Sequence, residues 1–590
     1  MQTAATVIVT LVELPFRILI FLFRLPGWAW ALLLITAALT TVLRFAWTHL
    51  DDDSRTIWRI HLRLRIPGCA GLWQHFRYWS RIAAVIRGSI QRPDLRLRQR
   101  LCMRASEYAV RLGRGMFGLP LYHANRSATL ALAPPESGKS YHLIDRVGHH
   151  SGPVLATSSK PDLARKSARR RLARGPVWNW NPLGTEDMPG VPLHFSPLDG
   201  CEDVTTAYRI AGWLTTSAHQ SDHSLEFWED LALGYVAALL HAAQVGKRGA
   251  LEAARWAAGD HREAEGILKE VLDGEDPKDP REAMLSALRL ADTSGAGRES
   301  GIAKSIRVTA SRAFGWAAVP ALLDAATVPD GAEPFTFARF LKEKGTVYLL
   351  ASSAGEARTV SGLFTCFVSE LAFQAGLTGN STAWTPGTSA GIRLEHRVTS
   401  RLGDSKAARS VVQALQTHLG GATRPTGTRK LAPPLLMALD EVASVCPLPA
   451  LPEMLTDAGG KGVLIEVVAH SIGQLQHTWG KPGADQIVGA CGLKLLFGGS
   501  WDAEWLESIS KVAGHLSDQV RKLTPAVLSQ IPDYRALVLA NRRKPTYVKF
   551  RNIDSWLQRW RERKLVPAPQ PQVGVLYPPE EWLEEGKDVR

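Results

Sequence analysis

The stretch Ala133-Pro134-Pro135-Glu136-Ser137-Gly138-Lys139-Ser140 constrains this chain more than any other. It follows an apolar run, Ala128 to Leu132, and leads into a segment of helical character opening at Tyr141. A strand, a tight loop ending in Gly-Lys-Ser and a helix together make a phosphate cradle. Amides along Ala133 to Gly138 would surround a β-phosphate, and Lys139 would reach the β and γ oxygens. The Ser140 hydroxyl would hold Mg2+. Ala133 stands where glycine is usual, so the bend is made without glycine's freedom. Taken alone, the residues also fit a surface loop that happens to read Gly-Lys-Ser.

A second element lies some 300 residues further on. The apolar run Leu435-Leu436-Met437-Ala438-Leu439 ends in Asp440-Glu441. Nucleotide hydrolysis needs a carboxylate at a strand tip to orient the Mg2+ shell and another to polarise the attacking water. Asp440 suits the first role and Glu441 the second. The two motifs, each behind a strand-like run, predict an α/β fold with a RecA-like P-loop NTPase core. Its cofactors would be ATP and Mg2+.

At 590 residues the chain is too long for one compact domain. Its six cysteines are scattered without a Cys-x-x-Cys pair, which argues against zinc and against a disulfide framework. A formal charge of +14 points to a polyanionic partner, nucleic acid or anionic lipid. The first fifty residues are strongly apolar. Trp28 to Val42 carries no charge, and Trp28, Trp30 and Trp47 sit near its ends, as in an interfacial aromatic belt. The earlier run Ala4 to Phe23 is long enough to span too, although it contains Glu13 and Arg17; an in-plane amphipathic helix is the alternative there. Arg44, Arg55, Arg59, Arg63, Arg65, Arg77, Arg81 and Arg87 follow, so the positive-inside rule places the body in the cytoplasm. The expectation is a transmembrane hairpin over 1–50 in the inner or plasma membrane.

Residues 51–117 read as a basic juxtamembrane region with interleaved aromatics. The ATPase core is expected over 118–202 and 331–555, with strands at 153–157, 175–180, 346–351, 463–469, 494–498, 536–539 and 547–550. Helical windows without strands fill 203–330, the pattern of an all-helical insertion. A Gly-, Thr- and Ser-rich excursion covers 379–432, with one helical patch at 405–418, and 556–590 is a Pro-rich, then acidic tail expected to be disordered.

Several segments together carry a family likeness. They are the loop 133–140, Thr157 to Leu163 (TSSKPDL), Gly175 to Gly184 (GPVWNWNPLG), Phe227 to Ala232 (FWEDLA), Gly345 to Ala351 (GTVYLLA) and, most specifically, Leu435 to Leu475. In these the chain resembles the coupling proteins of conjugation and type IV secretion, the TraG/TraD-like ATPases. The resemblance implies a membrane-anchored homo-hexamer that receives relaxase-bound DNA, single-stranded and read without sequence preference. It would use ATP to drive that substrate towards secretion-channel proteins. It also implies that His470 stands where relatives carry a Gln sensing the γ-phosphate, and that Lys461 occupies a place where relatives often have Arg. In a ring, Lys461 is then a candidate for the cation lent to a neighbour's site; a solvated turn lysine is the other reading. Ser158 replaces an Asp usual in relatives, while Lys160 is kept. An FtsK-like DNA translocase and a catalytically weak docking platform at the membrane are the competing functions.

Overall fold

The computed structural model describes residues 26–551 apart from 125, 185–186, 218–225, 273–278, 293–300, 330, 332, 352–353, 379–430, 501 and 514–522. The expected span Ala4 to Phe23, the helical patch 405–418 and the tail 556–590 lie outside the described residues. The chain divides into two units, Met1–His61 and Leu62–Arg590.

In the first unit a helix runs over Gly27–His49, and a second begins at Asp52. Leu32, Leu34, Ile35, Leu39, Val42 and Phe45 are exposed along the first. Arg55 closes its C-terminus, Nε donating to the Trp47 carbonyl at 3.0 Å and Nη2 to that of Thr48 at 2.8 Å. Those carbonyls have no partner within a helix that stops there, and the cation meets the negative end of its dipole.

The second unit is built on one twelve-stranded sheet. Its strands are β1 Val110–Arg114, β2 Pro120–His123, β3 Thr129–Leu132, β4 Val154–Ser158, β5 Val177–Trp180 and β6 Val191–Pro192. Then come β7 Thr346–Leu350, β8 Leu435–Leu439, β9 Val463–Ala469, β10 Leu493–Phe497, β11 Arg535–Ala540 and β12 Thr546–Lys549. They lie in the order β2-β1-β12-β11-β10-β3-β9-β8-β4-β7-β5-β6. From β10 to β6 every pairing is parallel, whereas β11, β12, β1 and β2 form an antiparallel wing. Continuous burial along β4, β7, β8 and β9 explains their largely apolar sequences, since a parallel strand is covered on both faces. The boundary expected at 117 falls between β1 and β2, because the hairpin completes the sheet through Arg114 beside Lys549.

Helices fill 204–325 among the described residues. Glu226–Val245 is their axis, with Tyr235 to Leu240, Ala242 and Ala243 inaccessible. It packs against Val204–Ser217, Pro280–Ala291 and Gly301–Ala313, which explains why it is apolar almost all round. Within the helix Ala354–Leu377, the stretch Val360–Leu377 is long and apolar enough to cross a membrane, but most of it is buried inside the body. It is a core helix.

The basic helix Asp162–Leu172 has an inner function as well as an outer one. Arg171 is wholly buried and donates to the carbonyls of His150, Gly152 and Lys344 at 2.6, 2.7 and 3.2 Å, and to Thr346 Oγ1 at 2.7 Å. Burial pushes its pKa down to about 9, so the guanidinium stays charged at neutral pH while stitching loop to strand.

Candidate active site

Parallel pairing sets β3, β9, β8 and β4 side by side with their C-terminal ends at one edge. That edge is where ligands bind in open α/β sheets. The phosphate-loop motif follows β3, His470 follows β9, and Asp440-Glu441 follows β8.

The loop turns where its residues permit. Left-handed backbone falls on Glu136 (φ 62°) and Gly138 (φ 93°), not on Ala133. Ala133 continues from β3 with its amide donating to the Ala469 carbonyl at 3.0 Å, so its methyl costs nothing. Ser137 Oγ donates to the Pro134 carbonyl at 2.7 Å and closes the turn. Pro135 and Glu136 are exposed at its tip. The helix Lys139–His149 starts directly after Gly138, with Ser140 exposed in its first turn and Tyr141 half-buried behind it. Its free N-terminal amides and dipole favour an anion.

Lys139 is buried and points across the cleft. Its Nζ donates to Glu441 Oε1 at 3.0 Å and stands 3.7 Å from Asp440 Oδ1. Two motifs three hundred residues apart thus share one site. Asp440 is buried, and its Oδ1 accepts no hydrogen bond. Burial, reinforced by Glu441 and opposed by Lys139, raises its pKa to about 6. Glu441 has a left-handed backbone (φ 48°, ψ 43°), a strain of about 1–3 kcal/mol for a residue with a side chain. The adjacent His470 ring, followed by Lys139, holds its carboxylate well below the usual range.

His470 Nδ1 donates to the Ala133 carbonyl at 3.2 Å, and its Nε2 lies 3.6 Å from Glu441 Oε1. The ring thus bridges the phosphate loop and the candidate base. Ser158 Oγ accepts from the Lys160 amide at 3.2 Å, so this serine still closes the turn where relatives use Asp. Lys461 is not brought to this site within the chain. It is the last residue of the helix Leu451–Lys461, with Gly462 as left-handed cap, rather than part of an isolated Gly-Lys-Gly turn. Its ammonium pairs with Asp457 at 2.5 Å, and the seven residues of β9 put roughly 23 Å between it and His470.

Two supporting groups went unread in the sequence. Tyr534, itself left-handed at φ 59°, donates its amide to the Ser137 carbonyl at 3.2 Å and sets its ring against Tyr141 at 5.0 Å. A Cβ on Gly138 would lie 2.8 Å from the Tyr534 ring, so the loop needs glycine for space as well as for φ. Gln474 accepts from the His470 amide at 3.0 Å and donates to Ser444 Oγ at 3.2 Å, joining the β9 tip to the turn after Glu441. A signal existed for Gln474: Ser471-x-x-Gln474 has the spacing of a helix-capping box, and Ser471 Oγ does accept from the Gln474 amide.

The donor set fits Mg2+–ATP. A hard cation would find the Ser140 hydroxyl and the unsatisfied Asp440 oxygen, and phosphates would find Lys139 and the amides of Ser137 to Ser140. Residues 434–524, which include Asp440, Glu441 and His470, match the family model described as the TraM recognition site of TraD and TraG. Over this segment the chain is similar to TraD and TraG. Solved structures agree at the level of fold. The bacterial conjugative coupling protein TrwBdeltaN70, unbound monoclinic form, is 15% identical over 80% of this chain and 92% of its own, with a TM-score of 0.52. Its trigonal form in complex with sulphate gives 16%, 77%, 91% and 0.51. The plasmid coupling protein TrwB in complex with ADP and Mg2+ gives 16%, 75%, 88% and 0.50. No curated protein matches the chain. Identity this low speaks for a shared RecA-like P-loop fold and for nothing finer.

Proposed function

We propose that this chain is a membrane-anchored ATPase of the coupling-protein kind, which binds DNA and drives relaxase-bound substrate into a conjugative or type IV secretion channel. One observation carries the enzymatic part: Lys139 Nζ sits within 3.0 Å of Glu441 and 3.7 Å of Asp440, across the whole core sequence. Bound Mg2+–ATP would supply the transferable phosphoryl group and the cation that offsets charge developing on it. Lys139 exchanges its carboxylate partners for phosphate oxygens. Glu441, released from Lys139 and kept ionised, accepts a proton from water. Ser140 and Asp440 would hold the metal. His470, bonded to the loop at Ala133, couples the state of that loop to the base.

Anchoring through Gly27–His49 is supported by its 23 residues, about 35 Å of helix against about 30 Å of hydrocarbon, and by the exposed apolar side chains along it. DNA binding and hexamer formation come from the likeness to the relatives described above. Lys461 could serve catalysis only across a subunit boundary; its Asp457 pair and half-exposed side chain fit a solvated lysine. The deciding experiment measures ATP turnover by the full chain with and without single-stranded DNA. Turnover stimulated by DNA and abolished by Lys139→Ala and Glu441→Gln is the expected result. Nucleotide binding with no turnover would instead favour the docking platform, and a strict preference for duplex DNA the FtsK-like translocase.

A further inference from the structure

Three short helices at the start of the second unit leave an unusual surface. They are Leu72–Gln74 continuing as a π-turn over His75–Trp79, Arg81–Arg87 and Leu97–Cys102, and each packs on the next. Each buries one side, through His75 and Trp79, Ala83 to Val85, and Gln99 and Arg100 respectively. The opposite stripes are apolar at helical spacing yet bare. Trp73 is 73% exposed, Ile82 69%, Ile86 62% and Leu101 58%, and Leu72, Phe76 and Leu97 are exposed beside them.

The charges around these side chains have one sign. Residues 72–107 contain eight arginines, and Arg77, Arg81, Arg96, Arg98 and Arg104 are exposed. The only acids in that stretch, Asp94 and Glu107, are buried. Asp94 is held by Arg92 through two bonds of 2.8 and 2.6 Å, and Glu107 lies 3.7 Å from Arg174. Within 72–107 no carboxylate is exposed beside the arginines.

We propose that this face of the folded body docks on an anionic bilayer surface, its Leu, Ile, Trp and Phe side chains entering the headgroup–acyl boundary and its arginines meeting lipid phosphates. Amphipathic helices with bulky apolar and basic residues bind such interfaces, and each added basic group strengthens the attraction. Nucleic acid would use the arginines and stack on Trp73 and Phe76, but it has no use for Leu72, Ile82, Ile86, Leu97 and Leu101. Aliphatic exposure decides for lipid. The inference adds to the anchoring read for residues 1–50 a second contact, made by the globular body itself.

The test places the full chain in nanodiscs of phosphatidylcholine alone or with about a third phosphatidylglycerol, and follows amide hydrogen exchange over 72–101. Exchange should slow about tenfold in the anionic discs and recover at about 0.5 M salt. A fluorophore on Cys102, the exposed cysteine among five buried or half-buried ones, should be quenched by brominated lipid in the anionic discs. The variant Trp73→Glu/Ile82→Glu/Ile86→Glu should abolish both signals at an unchanged unfolding midpoint. Should it fail to fold, Arg77→Glu/Arg81→Glu/Arg98→Glu provides the same test through charge alone. Equal exchange in detergent, neutral and anionic discs overturns the proposal. Protection that follows protein concentration at fixed lipid overturns it in favour of a second copy, and protection that appears only with DNA overturns it in favour of nucleic acid. ATP turnover is measured separately, so failure here leaves the catalytic reading intact.

Discussion

Two polar clusters share the helix Lys139–His149 and the central strands, and they are finished differently. At the strand tips, Lys139, Asp440, Glu441 and His470 leave one buried carboxylate oxygen without a donor and one carboxylate on a left-handed backbone. One turn further along the helix, His142 and Arg146 grip Glu466 in the middle of β9: His142 Nε2 bonds its Oε1, and Arg146 Nε donates to its Oε2 at 3.2 Å. Arg146 also approaches His150 Nδ1 at 3.5 Å, and the other ring nitrogen of His150 donates to the Pro434 carbonyl at 2.8 Å. Burial holds His150 far below its usual pKa, so it serves there as a neutral linker. The inner cluster satisfies its carboxylate internally and belongs to the fold. The outer cluster keeps unmet demand at a cleft, which is how a site built for a ligand differs from a buried ion pair.

The comparison breaks most visibly at Glu466. Glu466→Ala strands the buried Arg146 and should cost about 3–5 kcal/mol, read as a large fall in the denaturation midpoint. Burial raises the Glu466 pKa, but His142 and Arg146 outweigh it and keep it below the ordinary carboxylate value. Its contribution is therefore present above that value and lost as pH falls through the lower folded one. A small change in midpoint would place the inner cluster among dispensable contacts.

Glu441→Gln should do the reverse. Turnover should fall about 10²–10⁴-fold with nucleotide still bound, while the midpoint falls only slightly, because Gln keeps hydrogen bonds to Lys139 and His470 and loses only the ionised group's share of stability. Parallel loss of stability and turnover would erase the distinction between the clusters.

Asp440 sharpens the contrast through pH. Its pKa, raised to about 6, means that stability declines as pH climbs from the ordinary carboxylate range to about 6 and then levels off. Asp440→Asn should accordingly raise the unfolding midpoint at neutral pH while removing Mg2+-dependent nucleotide binding. In the wild type that binding should weaken about tenfold per pH unit below 6. Binding that is flat down to pH 5 would remove Asp440 from the metal site.

His470→Gln is the mildest change. Gln can still bond to Ala133 and Glu441, so turnover should stay within about fivefold, whereas His470→Ala should lower it further by uncoupling loop and base. Equal effects from both would argue that the ring fills space rather than carrying a signal.

The site was readable to different depths in the sequence. Leu435–Leu439 and Val463–Ala469 stand where their apolar runs put them, the second interrupted only by Glu466, because a doubly covered parallel strand has no polar face to blur the pattern. Nothing around Glu466 in that run names its partners; the facing helix supplies both, His142 and Arg146. Tyr534 lies in a segment with no motif, and its contact with Gly138 depends on how the antiparallel wing folds back. Arg171 sits in a run of basic residues that reads as a solvated face, and nothing local marks it as the most deeply buried of them.

The linear order of residues settled the chemistry available at the edge of the sheet. Gly138-Lys139-Ser140 and Asp440-Glu441 each name their reactive groups through local geometry, because a loop between strand and helix is set by neighbours a few residues apart. The meeting of these groups was decided by strand order, which places β9 between β3 and β8 and so lays His470 between loop and base. Pairings across 302 residues depend on packing the whole sheet, a sum of many weak contacts that no short window contains.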